Sequence, residues 1–102
     1  MSPIRIRSYD DLLRVMRSAA VALETTRVEL DFQTQFAGGY SGKVLCDPPI
    51  RKLTWDTAPI FLDALGLVLV VMPDNDAIRE LRRRYRRKRN FTERERAALL
   101  SI

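Results

Sequence analysis

The sequence predicts a mainly α-helical domain of four to five helices, closed by one short β-strand at residues 67–72 and followed by an arginine-rich helix. Three observations lead there. A hydroxyl residue precedes an acid by three positions at Ser8/Asp11, Thr26/Glu29 and Thr92/Glu95, the capping-box signature of a helix start. Turn-forming residues at Gly38-Gly39, Asp47-Pro48-Pro49, Gly66 and Pro73-Asp74 separate the segments between those starts. Finally, Leu67-Val68-Leu69-Val70-Val71-Met72 is apolar without interruption and mostly β-branched, which suits a strand covered on both faces.

Taken in order, the first helix opens at Ser8 and carries Leu12, Met16, Ala19, Ala20 and Leu23 on one face. Glu24-Thr25-Thr26 ends it and Thr26 opens the second, with Leu30 inward. Ala37-Gly38-Gly39 interrupts the second helix, and a further helical stretch runs from Gly39 or Tyr40 to Cys46. Asp47-Pro48-Pro49 stops that stretch and Ile50 to Leu53 is a loop. Trp55 to Leu65 reads as the next helix, with Pro59 tolerable only in its first turn and Gly66 as its C′ residue. Ile60, Phe61, Ala64 and Leu65 form its apolar face; Trp55 and Phe61 read as core, and Cys46 as a small buried filler.

After the strand, Asn75 to Lys88 returns to helix, with Asp74 and Asp76 at its positive end and arginines towards its negative end. Ala77, Ile78, Leu81 and Tyr85 make a narrow apolar stripe on it. Thr92 opens a last short helix ending in Leu99 and Leu100. A lone strand needs a partner. Ile4-Arg5-Ile6-Arg7 alternates apolar and basic and could add a short edge. The favoured partner of Leu67, Val68, Leu69, Val70, Val71 and Met72 is the same strand of a second copy, across a two-fold axis. The organisation is therefore a dimerising domain over residues 8–72 and a basic helical extension over residues 73–102.

The charge is uneven. Eighteen Lys and Arg stand against 13 Asp and Glu, a net charge of +5, and fifteen of the bases are arginine. Between Arg79 and Arg96 there are ten bases and three acids, leaving eight bases against ten acids elsewhere. With no histidine and one cysteine, the chain makes no internal disulfide and no triad that needs an imidazole. A zinc site would need carboxylates and a single thiolate. No pair of carboxylates has a catalytic setting, so the sequence points away from an enzyme and calls for no cofactor. The nearly apolar run Leu65 to Pro73 is far short of the ~20 residues of a membrane span. No apolar region follows Arg5 and Arg7, so no signal peptide is visible. These features predict a reduced, cytoplasmic protein.

Three segments carry a resemblance. They are Thr26-Arg27-Val28-Glu29-Leu30-Asp31, then Phe36-Ala37-Gly38-Gly39-Tyr40-Ser41-Gly42-Lys43-Val44-Leu45, and Phe61-Leu62-Asp63-Ala64-Leu65-Gly66-Leu67. With a tight turn between the second and third helices, Leu12 to Val71 resembles the lambda-repressor-like (Cro/repressor, or Xre) helix-turn-helix family. The resemblance implies that Thr26 caps the second helix, that Leu30 and Phe36 lock the turn, and that Tyr40 to Leu45 is the recognition helix. A subgroup that includes some antitoxins has a dimerising strand directly after this segment, where Leu67 to Met72 stands. The chain departs from the family pattern at Arg27 (usually Gln), Asp31 (usually a small Ala) and Gln35 (usually the Gly that ends the second helix). Leu45 and Cys46 stand where an acidic residue is usual.

The functional expectations follow. Gly39, Tyr40, Ser41, Gly42 and Lys43 are the candidates for reaching base edges or phosphates, small residues allowing close entry to the major groove; the bland alternative is a glycine-rich turn and short helix that merely packs. Arg27, Arg51 and Lys52 would hold nearby phosphates. Arg79, Arg82, Arg83, Arg86 and Arg87 would grip the backbone, since a run with Glu80 as its one acid before Arg89 calls for a polyanion. A solvated helix face is the bland alternative, but such faces normally mix signs. An RNA groove would also accept an arginine-rich helix. An anionic membrane suits it less, because the apolar stripe lacks Trp and Phe. A P-loop is a poor alternative, as Gly38 to Lys43 is one residue short and Val44 replaces the magnesium-binding hydroxyl. The reading is a homodimeric, sequence-specific transcription regulator that places two recognition helices about 34 Å apart on palindromic double-stranded DNA. The alternative is an antitoxin or anti-activator with a degenerate helix-turn-helix, whose partner is a protein such as a toxin or regulator.

Overall fold

A computed structural model describes residues 2–88 and 93–100 of the chain. The described residues form six helices: α1 (Tyr9–Ala22), α2 (Arg27–Thr34), α3 (Tyr40–Leu45), α4 (Ala58–Ala64), α5 (Asn75–Lys88) and α6 (Glu93–Leu100). The chain divides into two compact units, Met1–Leu69 and Val70–Ile102.

In the first unit, local chemistry sets each helix end. The Ser8 hydroxyl accepts from the Asp11 N–H at 3.1 Å, and the Asp11 carboxylate reaches back to the Arg7 N–H at 2.9 Å. At the other end of α1, Thr25 N–H donates to the Ala20 carbonyl and Glu24 N–H to that of Val21, a Schellman motif. Its left-handed residue is Glu24, at φ 56°, where glycine is usual. Thr26 and Glu29 complete a reciprocal capping box at 3.1 Å each way. Gly66, at φ 70°, closes α4 with the same Schellman pair, its own N–H to Asp63 and that of Leu67 to Leu62.

The core is built from Leu13, Met16 and Ala20 of α1, Leu30 of α2, Val44 and Leu45 of α3, and Phe61, Leu62 and Leu65 around α4. Here α2 packs on both α3 and α4, and α1 packs on α3. The buried face of α1 therefore runs through Leu13, Met16 and Ala20 at i, i+3 and i+7. Leu12 is only half-buried, and Leu23 is exposed because the helix has already ended at its cap. Trp55 also departs from the expected core position. The reciprocal hydrogen bonds of Thr54 and Thr57 make a separate turn there, α4 starts only at Ala58, and the indole is 79% exposed. Cys46 is half-buried rather than buried, its thiol pointing at the Pro48 carbonyl at 3.2 Å.

In the second unit, Asp74 caps α5 by accepting from the Ala77 N–H at 3.1 Å. Ile78 is half-buried, while Ala77, Leu81 and Tyr85 are exposed. The proposed cap of the last helix, Thr92, lies outside the described residues. No strand occurs among the described residues. Leu67 to Met72 lies outside helix, and of its backbone N–H groups only that of Leu67 is hydrogen-bonded to backbone. Ile4 to Arg7 is also outside regular structure.

Candidate nucleic-acid interface

The third helix could not stand alone. Its six residues include Gly42, Gly38 and Gly39 precede it, and six residues are too few for an isolated helix in water. Gly39, at φ 86°, occupies the N-cap position without a side chain to cap the first turn. The cap comes instead from α2. The Asp31 carboxylate, almost fully buried, accepts from the Gly39 and Ser41 N–H groups at 2.8 Å each. Burial alone would raise the Asp31 pKa. The Ser41 and Gly39 contacts outweigh it and hold the carboxyl below its ordinary value. The buried Ser41 hydroxyl adds attraction from nearby without reaching hydrogen-bond geometry.

The other end of α3 is held from α1. The Arg17 guanidinium donates to the Leu45 carbonyl at 2.6 Å and to the Cys46 carbonyl at 2.9 Å. Ile50 and Arg51 N–H groups donate to the Lys43 carbonyl at 2.9 and 3.1 Å. A carboxylate thus faces the positive end of the α3 dipole and a guanidinium the negative end, each from a neighbouring helix. The connection between α2 and α3 is locked by rings. Phe36 lies 4.9 Å from Tyr40 and is stacked on Phe61 at 5.4 Å, and Tyr40 lies 5.9 Å from Phe61.

This packing sorts the five residues predicted to reach base edges. Ser41 is buried with its hydroxyl inside the unit, so it offers nothing to a base; that expectation is corrected. Tyr40 is half-buried in the ring cluster, with the Arg51 guanidinium 5.9 Å over its face. Gly39 and Lys43 are exposed and Gly42 is half-buried, leaving a narrow surface with one charge. Of the predicted phosphate-holding residues in this unit, Arg51 and Lys52 are exposed and Arg27 is half-buried. Asp31 and Arg17 were not singled out from the sequence as site residues. Asp31 had a visible signal, an acid where the resembling family has a small residue, ahead of a helix with no cap of its own. Arg17 had none, since its carbonyl partners lie 28 and 29 residues away.

In the second unit, Arg79, Arg82, Arg83 and Arg86 stand at i, i+3, i+4 and i+7, one stripe along α5, and all four are exposed. Arg79 pairs with Asp76 at 2.8 Å, while Arg83 and Arg84 share Glu80 at 4.0 and 3.9 Å. Among the described residues no ion pair includes Arg82 or Arg86. The side chain of Arg87 lies outside the described part of the structure. Ile78, Leu81 and Tyr85, at i, i+3 and i+7, form a separate apolar stripe, turned by about 115° around the helix from the arginine stripe.

Among the described residues, no cluster of three metal-ligating side chains occurs and no helix is long and apolar enough to cross a membrane. No family model matches the chain, and no curated protein or solved structure matches it either.

Proposed function

We propose that this chain is a homodimeric, sequence-specific DNA-binding regulator of the helix-turn-helix type, with α3 as its recognition helix. The observation that carries this reading is the arginine stripe of α5. Four exposed guanidinium groups on one helix face, two of them without an ion pair among the described residues, suit a polyanion with regularly spaced charges. In this reading the stripe holds the sugar-phosphate backbone, and sequence is read by the narrow surface of Gly39, Gly42 and Lys43. Arg27, Arg51 and Lys52 hold the flanking phosphates. Leu67 to Met72 becomes a strand on pairing with its copy, which sets two α3 helices on successive major grooves. The α1–α4 unit would then be a lambda-repressor-like domain.

Two observations favour a second reading. The α2 face opposite the core exposes Val28 and Phe32, and α3 offers a single charge. Both suit a protein-interaction module, an antitoxin or anti-activator in which base recognition has been lost.

A gel shift on random DNA at two salt concentrations, followed by selection of bound sequences, separates the readings. A steep salt dependence with an enriched palindrome is expected. Salt-dependent binding without an enriched sequence would favour the second reading, and no binding at low salt would reject DNA as the partner.

A further inference from the structure

Arginines are not the only side chains that α5 leaves open to solvent. In the apolar stripe of the same helix, Leu81 is 38% and Tyr85 56% exposed, and Ile78 is half-buried. We infer that this stripe is the seam of a two-helix pairing, and that its partner is an acidic amphipathic helix of another protein. Such a partner is additional to DNA and does not depend on it.

Width decides the kind of surface that fits. At ~3.6 residues per turn the three side chains fall within about 60° of one another, with only the methyl of Ala77 beside Leu81. Their spacing, i, i+3 and i+7, is the a–d–a pattern of a coiled-coil seam. That seam is narrower than the face a helix buries in a core or lays on a bilayer. Phosphate satisfies the arginines of α5 but gives Leu81 and Tyr85 nothing apolar to cover them. A second helix with its own seam does.

Charge decides the chemistry of the partner. In the heptad frame set by Ile78 and Leu81, Arg82 stands at e and Arg84 at g, so a guanidinium borders the seam on each side. By the same rotation Arg82 lies about 40° beyond Ile78 and Arg84 about 60° beyond Leu81. The acids nearby are engaged elsewhere. Glu80 lies farther out, past Arg84, and is shared by Arg83 and Arg84 at 4.0 and 3.9 Å. Asp74, in line with the start of the seam, caps α5. Residues at e and g select the partner, and a second copy of α5 would bring arginine to arginine. The complement is a helix with apolar a and d positions and Glu or Asp at e and g. Arg82 also belongs to the stripe proposed to grip DNA, so a helix seated on the seam takes one guanidinium from that grip.

The test uses the full chain and a fluorescent peptide of three heptads, with Leu at a and d and Glu at e and g. At physiological salt this peptide is expected to bind, and an equally charged peptide with Ser at a and d to bind about tenfold more weakly or worse. Leu81→Ser should erase that difference, with circular dichroism showing that helix content is kept. Arg82→Gln together with Arg84→Gln should weaken the Leu peptide by about threefold to tenfold. Arg83→Gln, on the far side of the helix, should change it by less than about twofold. No binding of the Leu peptide overturns the assignment. Equal binding of both peptides overturns it as well, since bulk charge alone would then explain the attraction. Leu81-dependent binding to vesicles of phosphatidylserine and phosphatidylcholine, with the peptide left unbound, would make the seam a lipid surface and also overturn it. None of these outcomes bears on DNA binding, which the gel shift decides separately.

Discussion

The two units reach helix by opposite routes. In the first, α3 has poor intrinsic propensity and is helical because a carboxylate, a guanidinium and two rings from neighbouring segments hold it. In the second, α5 has 14 residues, mostly strong helix formers, with an acidic cap and its own i,i+3 and i,i+4 ion pairs. The charge divides in the same place. Met1–Leu69 has eight basic and eight acidic side chains, and Val70–Ile102 has ten and five. The difference teaches that accurate placement and charge density belong to different parts of the chain. In the proposed function this is a division of labour: a recognition surface must be placed accurately, as the clamped α3 is, whereas a backbone grip needs only density of charge, which the exposed arginines of α5 provide.

Removing the largest side chain of the core tests this division hardest. Phe61 is fully buried and stacks on Phe36. Phe61→Ala is expected to cost the first unit about 3–5 kcal/mol, a large part of the stability of so small a domain. Thermal unfolding followed by near-ultraviolet circular dichroism measures it. In the proposed function, attraction to random DNA at low salt comes from α5 and should survive the substitution. If that attraction were lost together with the fold of the first unit, the two functions would not be separable.

The complementary change strips charge and leaves packing alone. Replacing Arg82, Arg83 and Arg86 together with Gln removes three phosphate contacts in the proposed complex. The slope of log K against log salt should fall by about three, and affinity at physiological salt by about a hundredfold, equally for all sequences. Because all three side chains are exposed, the unfolding midpoint of the first unit should stay where it is. A loss confined to one preferred sequence would mean that α5 reads bases.

Much of this contrast was legible in the sequence, because local signals wrote it. The Thr26/Glu29 box, Gly66 and the Asn75 to Lys88 helix are found where periodicity and caps put them. What escaped depends on contacts between segments. Trp55 was drawn into the α4 pattern because helical spacing cannot reveal that Thr54 and Thr57 close a turn of their own. Ser41 looked like a base contact because a hydroxyl in a recognition helix carries no mark of the side on which it lies. Asp31 and Arg17 meet α3 only in the folded unit, and nothing in their own neighbourhoods announces it.

Asp31 gives the next smaller effect. Asp31→Ala leaves the Gly39 and Ser41 N–H groups without their acceptor and should cost about 1–3 kcal/mol at neutral pH. The pH dependence has a definite sign. The folded-state pKa is depressed, so this stabilisation is fully present above the unfolded-state value near ~3.9 and is lost as pH falls through the folded value. The wild-type advantage over Asp31→Ala, read as the difference in unfolding midpoint, should therefore hold from neutral pH to about 5 and shrink below about 4. An advantage unchanged at pH 3 would mean that the carboxylate charge contributes nothing to clamping α3.

The smallest effect runs in the stabilising direction and asks whether strain between α2 and α3 belongs to the fold or to recognition. Gln35 ends α2 in the left-handed region, at φ 61°, a conformation that costs a residue with a Cβ about 1–2 kcal/mol. Glycine removes that cost but adds freedom to the unfolded chain. Gln35→Gly should therefore stabilise the first unit by a net amount of about 0.5–1 kcal/mol, measured by urea unfolding. The Gln35 side chain is exposed, so no core contact is lost. Sequence preference should be unchanged, because Asp31, Arg17 and the ring cluster still hold α3 in place. A more stable variant with relaxed preference would show that the stiffness of the turn itself, beyond these three clamps, positions the recognition helix.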